Sequence, residues 1–255
     1  NLAVPHIWHV REMAKAAFNF DFELGPLYLK KMASLTDVIV CNSNEVRRYY
    51  QDILGRSDLI TIYNGVSIPQ VNQEAEFQSS YFKILMIARL TEEKEHLSAL
   101  RACSYLLSQG RINFCFDLWG DGPDREKIER TINALGLTDR VNLKGYADSI
   151  PIADYSIGLS CCRYEAFGRA TVEYMLAGLP VVGVNSGGNR EIITAASGIL
   201  YEADNITQFG QALIRLYDDN AEIRKLGDAA KAIAEEKFSE SAYGNAVLGL
   251  YDNVI

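Results

Sequence analysis

Apolar residues along this chain fall into short continuous runs, separated by segments with helical spacing. "PHIWHV", "DVIVCN" and "LITIYN" read as short buried strands bounded by polar or turn residues. Between them, "GPLYLKKMASL" and "NEVRRYYQDIL" carry helical periodicity. After Gly65 the stretch "VSIPQVNQEAEFQSS" is polar, holds a proline and has no usable period, so a linker is expected at 66–80. The alternation then restarts with the strand "KILMIA". Thr91 is the expected N-cap of a helix in which Leu97, Leu100 and Cys103 fall three apart and which Gly110 ends. "NFCFDLW", "RVNLKG", "YSIGLS" and "LPVVGV" are four more strands, and from Asn205 onward the pattern is helical. Strand–helix alternation on this scale predicts an α/β architecture, a doubly wound parallel sheet covered on both faces.

Composition narrows the function classes. The 255 residues are 48% hydrophobic and 23% charged, with a formal net charge of -8, which speaks against non-specific nucleic-acid binding. A phosphate ligand would have to be met by local cations, helix ends and glycine loops. Cys41, Cys103, Cys115, Cys161 and Cys162 are odd in number and lack CxxC spacing, a pattern that fits reduced thiols in a cytoplasmic setting and no zinc site. No apolar run approaches the roughly 20 residues that span a bilayer, and no signal-peptide pattern is present. The opening "NLAVPHIWHV" begins nearly inside a strand without an initiator Met, which leads us to expect a trimmed chain.

The most informative stretch is "EAFGRATVEYMLAG", which turns from the "YSIGLS" strand into a helix with Val172, Met175, Leu176 and Leu179 as its apolar stripe. Gly168 is expected in the first turn, where free N–H groups and the dipole favour an anion. Glu173 lies roughly 7–8 Å further along the axis at about 1.5 Å per residue, a diphosphate-to-ribose distance, while Glu165 stays on the loop side. Taken alone, such a pair is more often two solvated helix residues. Four companion corners change that balance. "ARLTEEKEH" sets Arg89 and Lys94 five apart at a strand-to-helix corner, able to clamp a diphosphate without metal. "LWGDGPD" is a glycine turn with Gly120 and with Pro123 near N1, "LKGYADS" offers the backbone of Lys144, Gly145 and Tyr146 to a base edge, and "NSGGNREI" adds Gly187 and Gly188.

On these residues the chain resembles the retaining nucleotide-sugar glycosyltransferases of family 4, also called glycosyl transferases group 1. "EAFGRATVEYMLAGLPVVGVNSGGNREI" is similar to their E-x7-E signature, "ARLTEEK" to their R-x4-K clamp, "IYNGV" to their interdomain segment, and "WGDGPD" and "KGYADS" to two nucleotide-side loops. The resemblance runs from about Trp8 to the C-terminus. It implies a GT-B fold: residues 1–65 as the second half of an N-terminal Rossmann-like domain, 66–80 as linker, and 81–239 as the C-terminal nucleotide-sugar domain. The last helix, about 240–255, would pack back on the first domain. It implies no cofactor and no metal, a UDP- or GDP-linked donor, a glycan or lipid-linked glycan acceptor, bacterial polysaccharide synthesis, and peripheral membrane contact through the N-terminal domain. By position, Arg89 and Lys94 would bind phosphates and Glu173 the ribose. Glu165, with the segment Ala166, Phe167, Gly168 and Arg169, would face the sugar and distal phosphate. His9 resembles the histidine near the reacting carbon.

Two positions depart from the pattern: Ala88 and Glu95 stand where glycines are usual. A carboxylate beside Lys94 would weaken phosphate binding unless it points away. Length departs too, because two complete Rossmann domains of roughly 150 residues each exceed this chain. The glycine loop of the N-domain and most of the acceptor site are expected to lie outside it. A non-catalytic nucleotide-sugar module, or half of a split enzyme, is the rival expectation. A nicotinamide dehydrogenase is not, since no G-x-G-x-x-G follows the first strand.

Overall fold

A computed structural model describes residues 4–13, 25–67 and 81–254. In the first unit the elements are β1 (Ile7–Val10), α1 (Gly25–Ser34), β2 (Val38–Cys41), α2 (Asn44–Leu54) and β3 (Ile60–Thr61). The second unit holds β4 (Phe82–Ile87), α3 (His96–Ser108), β5 (Phe114–Trp119), α4 (Arg125–Ala134), β6 (Val141–Gly145), β7 (Ile157–Ser160), α5 (Arg169–Leu176), β8 (Val181–Val184), α6 (Asn189–Ile192) and β9 (Gly198–Tyr201). Three long helices follow: α7 (Ile206–Asp218), α8 (Asn220–Lys237) and α9 (Glu240–Val254). Most of the expected linker lies outside the described residues. Among the described residues no helix is long and apolar enough to cross a membrane.

Both sheets are parallel throughout. The first runs β1-β2-β3, with Ile7 opposite Val38 and Val40 opposite Ile60. The second runs β6-β5-β4-β7-β8-β9, so the chain lays strands outward on one side of β4 and then returns to add the rest on the other. This is the Rossmann order, and its reversal falls between β4 and β7. Inner strands such as β4 and β8 are nearly continuous apolar runs because both faces are covered, whereas the edge strand β6 alternates apolar with polar residues. Ile84 and Met86 enter one core with Phe116 and Leu213, while the intervening Leu85 enters the other with Tyr174 and Val181.

The switch point lies at a short β4–β7 pairing. These strands pair only at Ile84–Ile157 and Leu85–Gly158. Past that point the Ile87 N–H donates to the hydroxyl of fully buried Tyr174, at 2.6 Å. A Cβ on Gly158 would lie 2.2 Å from the Tyr174 ring, so the glycine inside "YSIGLS" makes room for the residue that anchors α5.

Several local expectations are corrected. Thr91 does not cap a long helix: it precedes a 3-10 turn, Glu92–Lys94, makes no side-chain cap bond, and gives its hydroxyl to Glu93 at 2.7 Å. The helix starts only at His96, because Glu95 adopts a left-handed φ of 57°. Leu179 is buried but lies beyond α5. The strand β9 and the short helix α6 were not expected. Helicity after Asn205 is broken at Asp219, which caps α8 by accepting from the Ala221 and Glu222 N–H groups at 2.9 Å each.

Candidate donor-binding site

The carboxyl ends of β4 and β7 bring together the residues the two motifs supply. From the β4 side, Lys94 Nζ donates to Glu165 Oε2 at 2.9 Å, both side chains being roughly three-quarters covered. Burial works against the ammonium, but the charge of Glu165, with smaller help from Cys162 and Glu93, outweighs it and raises the Lys94 pKa. Arg89 is exposed at the same corner, and its guanidinium has no hydrogen bond or ion pair among the described residues. Open α/β sheets bind ligands in the crevice at such a switch point.

The carboxylate of Glu95 has partners other than Lys94. It turns to Arg163 at 3.0 Å and accepts from Ser98 Oγ at 2.8 Å. Arg163 also pairs with Asp204, the other non-glycine residue with positive φ among those described. The left-handed conformation that usually calls for glycine is here held by an ion pair.

On α5, Gly168 is the N-cap at φ 91° rather than a residue of the first turn. Among the described residues nothing accepts from the N–H groups of Arg169, Ala170 and Thr171, as expected of an open helix end. Thr171 Oγ1 donates to Ser160 Oγ at 2.9 Å, which fixes the first turn to the end of β7. Glu173 is not a freely solvated helix position: its side chain is 20% exposed and accepts from Arg169 Nε at 3.0 Å. Burial raises its carboxyl pKa, partly countered by Arg169. Phe167 is buried in the second unit's core, whereas Ala166 packs into the core of the first.

The glycine corners knit the site floor. The Gly120 N–H donates to the Gly145 carbonyl at 2.8 Å. A Cβ on Gly120, at φ 133°, would lie 2.1 Å from the Ala88 carbonyl oxygen. Tyr146 is 80% exposed and donates its hydroxyl to Asp148 at 3.0 Å. His9 is partly buried on β1; burial and then Arg11 lower its pKa, favouring the neutral ring, and no hydrogen bond joins it to the Lys94–Glu165 pair. Glu12, which the sequence reading passed over, is coupled to that pair: burial first and Glu165 next raise its carboxyl pKa, and Lys94 opposes. No spacing rule could single it out, because the coupling runs between the two units. Among the described residues no cluster of three or more His, Cys, Asp or Glu could hold a metal ion.

The profile of glycosyl transferases group 1 matches residues 67–233. The chain belongs to that family. It is 32% identical over 170 residues to a poly(glycerol-phosphate) alpha-glucosyltransferase of Bacillus subtilis, covering 65% of this chain and 25% of that protein. It is 30% identical over 176 residues to an alpha-D-kanosaminyltransferase of Streptomyces kanamyceticus, covering 67% and 45%. It therefore spans between a quarter and a half of these relatives. Among solved structures, Anabaena HepE in complex with UDP superposes with a TM-score of 0.86 at 21% identity, over 98% of this chain and 72% of that one. That likeness shows the fold: α/β and Rossmann-like, with GT-B glycosyltransferases as structural neighbours.

Proposed function

We propose that this chain is the donor-binding part of a retaining, metal-independent glycosyltransferase of family 4, using a UDP- or GDP-linked sugar. The observation that carries the reading is the arrangement at the carboxyl ends of β4 and β7. There Arg89, unpaired among the described residues, Lys94 held by Glu165, and the open N-terminus of α5 converge on one switch point. An ammonium has three donors, so Lys94 keeps one on Glu165 and offers the others to a phosphate. Arg89 adds a planar fork suited to phosphate oxygens. Glu173 takes ribose hydroxyls once Arg169 yields, and Glu165 meets the sugar with its second oxygen. The backbones of Gly120, Gly145 and Tyr146 border the base, and His9 approaches the sugar from the first unit. Neither Glu165 nor Glu173 is assigned as a covalent nucleophile. Attack comes from the front face, with leaving-group charge stabilised by the two cations and the helix end. The acceptor is a glycan or lipid-linked glycan of a bacterial polysaccharide route, on the cytoplasmic side of a membrane that the enzyme contacts peripherally.

The test is calorimetric titration of the chain with UDP and GDP, with EDTA and with added magnesium. The expected outcome is binding of one nucleotide with equal affinity in both. Strict magnesium dependence would overturn the metal-independent reading, and no binding of either nucleotide would overturn the donor site.

A further inference from the structure

The stretch "NSGGNREI" leaves one acid, Glu191, without a task in the donor site. Its carboxylate points at the other unit. Oε2 accepts from the Asn44 N–H at 2.8 Å, Oε1 accepts from the Glu45 N–H at 2.6 Å, and the Tyr63 hydroxyl donates to Oε2 at 3.1 Å. Asn44 and Glu45 are the first two residues of α2, so these are two of the amides a helix start leaves open. Ser43, the N-cap, already takes the Val46 N–H at 3.0 Å. The start of α2 is thus capped twice, by its own chain neighbour and by a carboxylate 146 and 147 residues away. The partial positive charge of the helix end and charge-assisted bonding favour an anion there. Side chains steady the socket: Thr61 Oγ1 donates to Asn44 Oδ1 at 2.9 Å, and Asn44 Nδ2 donates to the Tyr63 hydroxyl at 2.8 Å.

At its other end the short helix carrying Glu191 is fixed to the donor-site loop. The Gly188 N–H donates to the Glu165 carbonyl at 2.7 Å. A Cβ on Gly187, at φ 55°, would lie 2.6 Å from that same oxygen, and one on Gly188 would lie 2.7 Å from the Phe167 carbonyl. The glycines are there because backbone meets backbone. A rigid line therefore runs from α2 through Glu191 to the loop bearing Glu165. We propose that Glu191 is a positioning residue, an interdomain latch that holds α2 of the first unit against the Glu165 loop and so sets how far the cleft closes over the donor. The latch follows from the geometry alone; its consequence for a donor rests on the proposed function.

The experiment measures the latch and the donor separately. Amide exchange at Asn44 and Glu45 is followed by NMR in the wild-type chain and in Glu191→Ala, Glu191→Gln and Glu191→Asp. In parallel, spin labels at Asp52→Cys on α2 and Lys225→Cys on α8, in a Cys115→Ser background, report the distance between units with and without UDP. Glu191→Ala should speed exchange at those two amides tenfold or more and broaden the distance distribution. Glu191→Gln should do the same, because its NH2 group would face one of the two N–H groups where the carboxylate presents an acceptor. Glu191→Asp, which keeps the charge, should recover part of the protection. UDP affinity should change less than twofold, while the narrowing that UDP produces in the wild type should disappear in Glu191→Ala and Glu191→Gln. Unchanged exchange and unchanged distances in both neutral variants would overturn the latch, and so would a Glu191→Gln chain as closed as wild type if Glu191→Ala fails to fold. If the wild type binds neither UDP nor GDP, the donor reading fails, and the exchange and ligand-free distances still decide the latch.

Discussion

The corner after β4 and the corner after β8 carry the same kind of signal in the sequence, small or charged residues at a strand end, yet they do different work. After β4, charge stays available: Arg89 is exposed and unpaired among the described residues, and Lys94 spends one bond on Glu165. After β8, Gly187 and Gly188 serve close packing of one loop on another, and the only acid in "SGGNREI" crosses to the first unit. A strand-end glycine reports that a backbone must approach closely. Whether the approaching group is a ligand or another loop depends on what stands opposite.

The largest effect that would test this contrast concerns a third corner, the one after β5. Gly120→Ala combines a positive φ with a Cβ 2.1 Å from the Ala88 carbonyl oxygen. It should destabilise the chain by about 3 kcal/mol or more in urea unfolding and weaken UDP binding with it. A variant as stable as wild type would mean that this corner has slack, and that its glycine is kept for a ligand after all.

Nearly as large is an acid effect at the start of α3. His96 is 3% exposed, its Nε2 has no partner among the described residues, and burial pushes its pKa down to about 4. Below pH 6.5 the unfolded chain takes a proton that the folded one refuses. Stability is therefore full above pH 6.5 and falls as the pH drops toward 4, by about 3 kcal/mol from this residue. Unfolding curves of wild type and His96→Leu between pH 4 and 7 check it; the variant should show the shallower loss.

Arg89→Ala tests the charge side of the contrast. It should cost about 1.5–3 kcal/mol of UDP binding, roughly tenfold to 150-fold in Kd, with the melting temperature unchanged. A drop in melting temperature without loss of affinity would make Arg89 a packing residue like the glycines. The smallest effect belongs to Arg169→Ala, whose exposed pair with Glu173 is worth about 0.3–0.5 kcal/mol in stability. Its use is in calorimetry: freeing Glu173 should leave UDP affinity equal or slightly higher if that carboxylate takes the ribose.

Most elements could be read along the chain because each answers to local chemistry. The strands are apolar runs bounded by turns, and Asn44–Leu54 coincides with its predicted stretch, its N-cap serine and C-cap glycine supplying local stop signals. The miss at the expected Thr91 helix is not local in cause. Glu95 interrupts the expected Thr91 helix because Arg163, sixty-odd residues away, stabilises a conformation its sequence neighbours would not reveal.

The candidate site divides the same way. Arg89, Lys94, Glu165 and Glu173 stand out in sequence because charge and glycine are spaced to suit a strand end and a helix start, and spacing is a one-dimensional quantity. Strand order is not. That β4 and β7 are neighbours, that Lys94 therefore meets Glu165, that Glu12 feels both, and that Glu191 caps a helix of the other unit depend on contacts between distant segments. The sequence by itself determined which residues carry charge and where the backbone can turn. Only the tertiary structure decided which charges pair, which stay free and which hold the two units together, since an ion pair or a cap requires atoms within about 3 Å and no sequence separation specifies that distance.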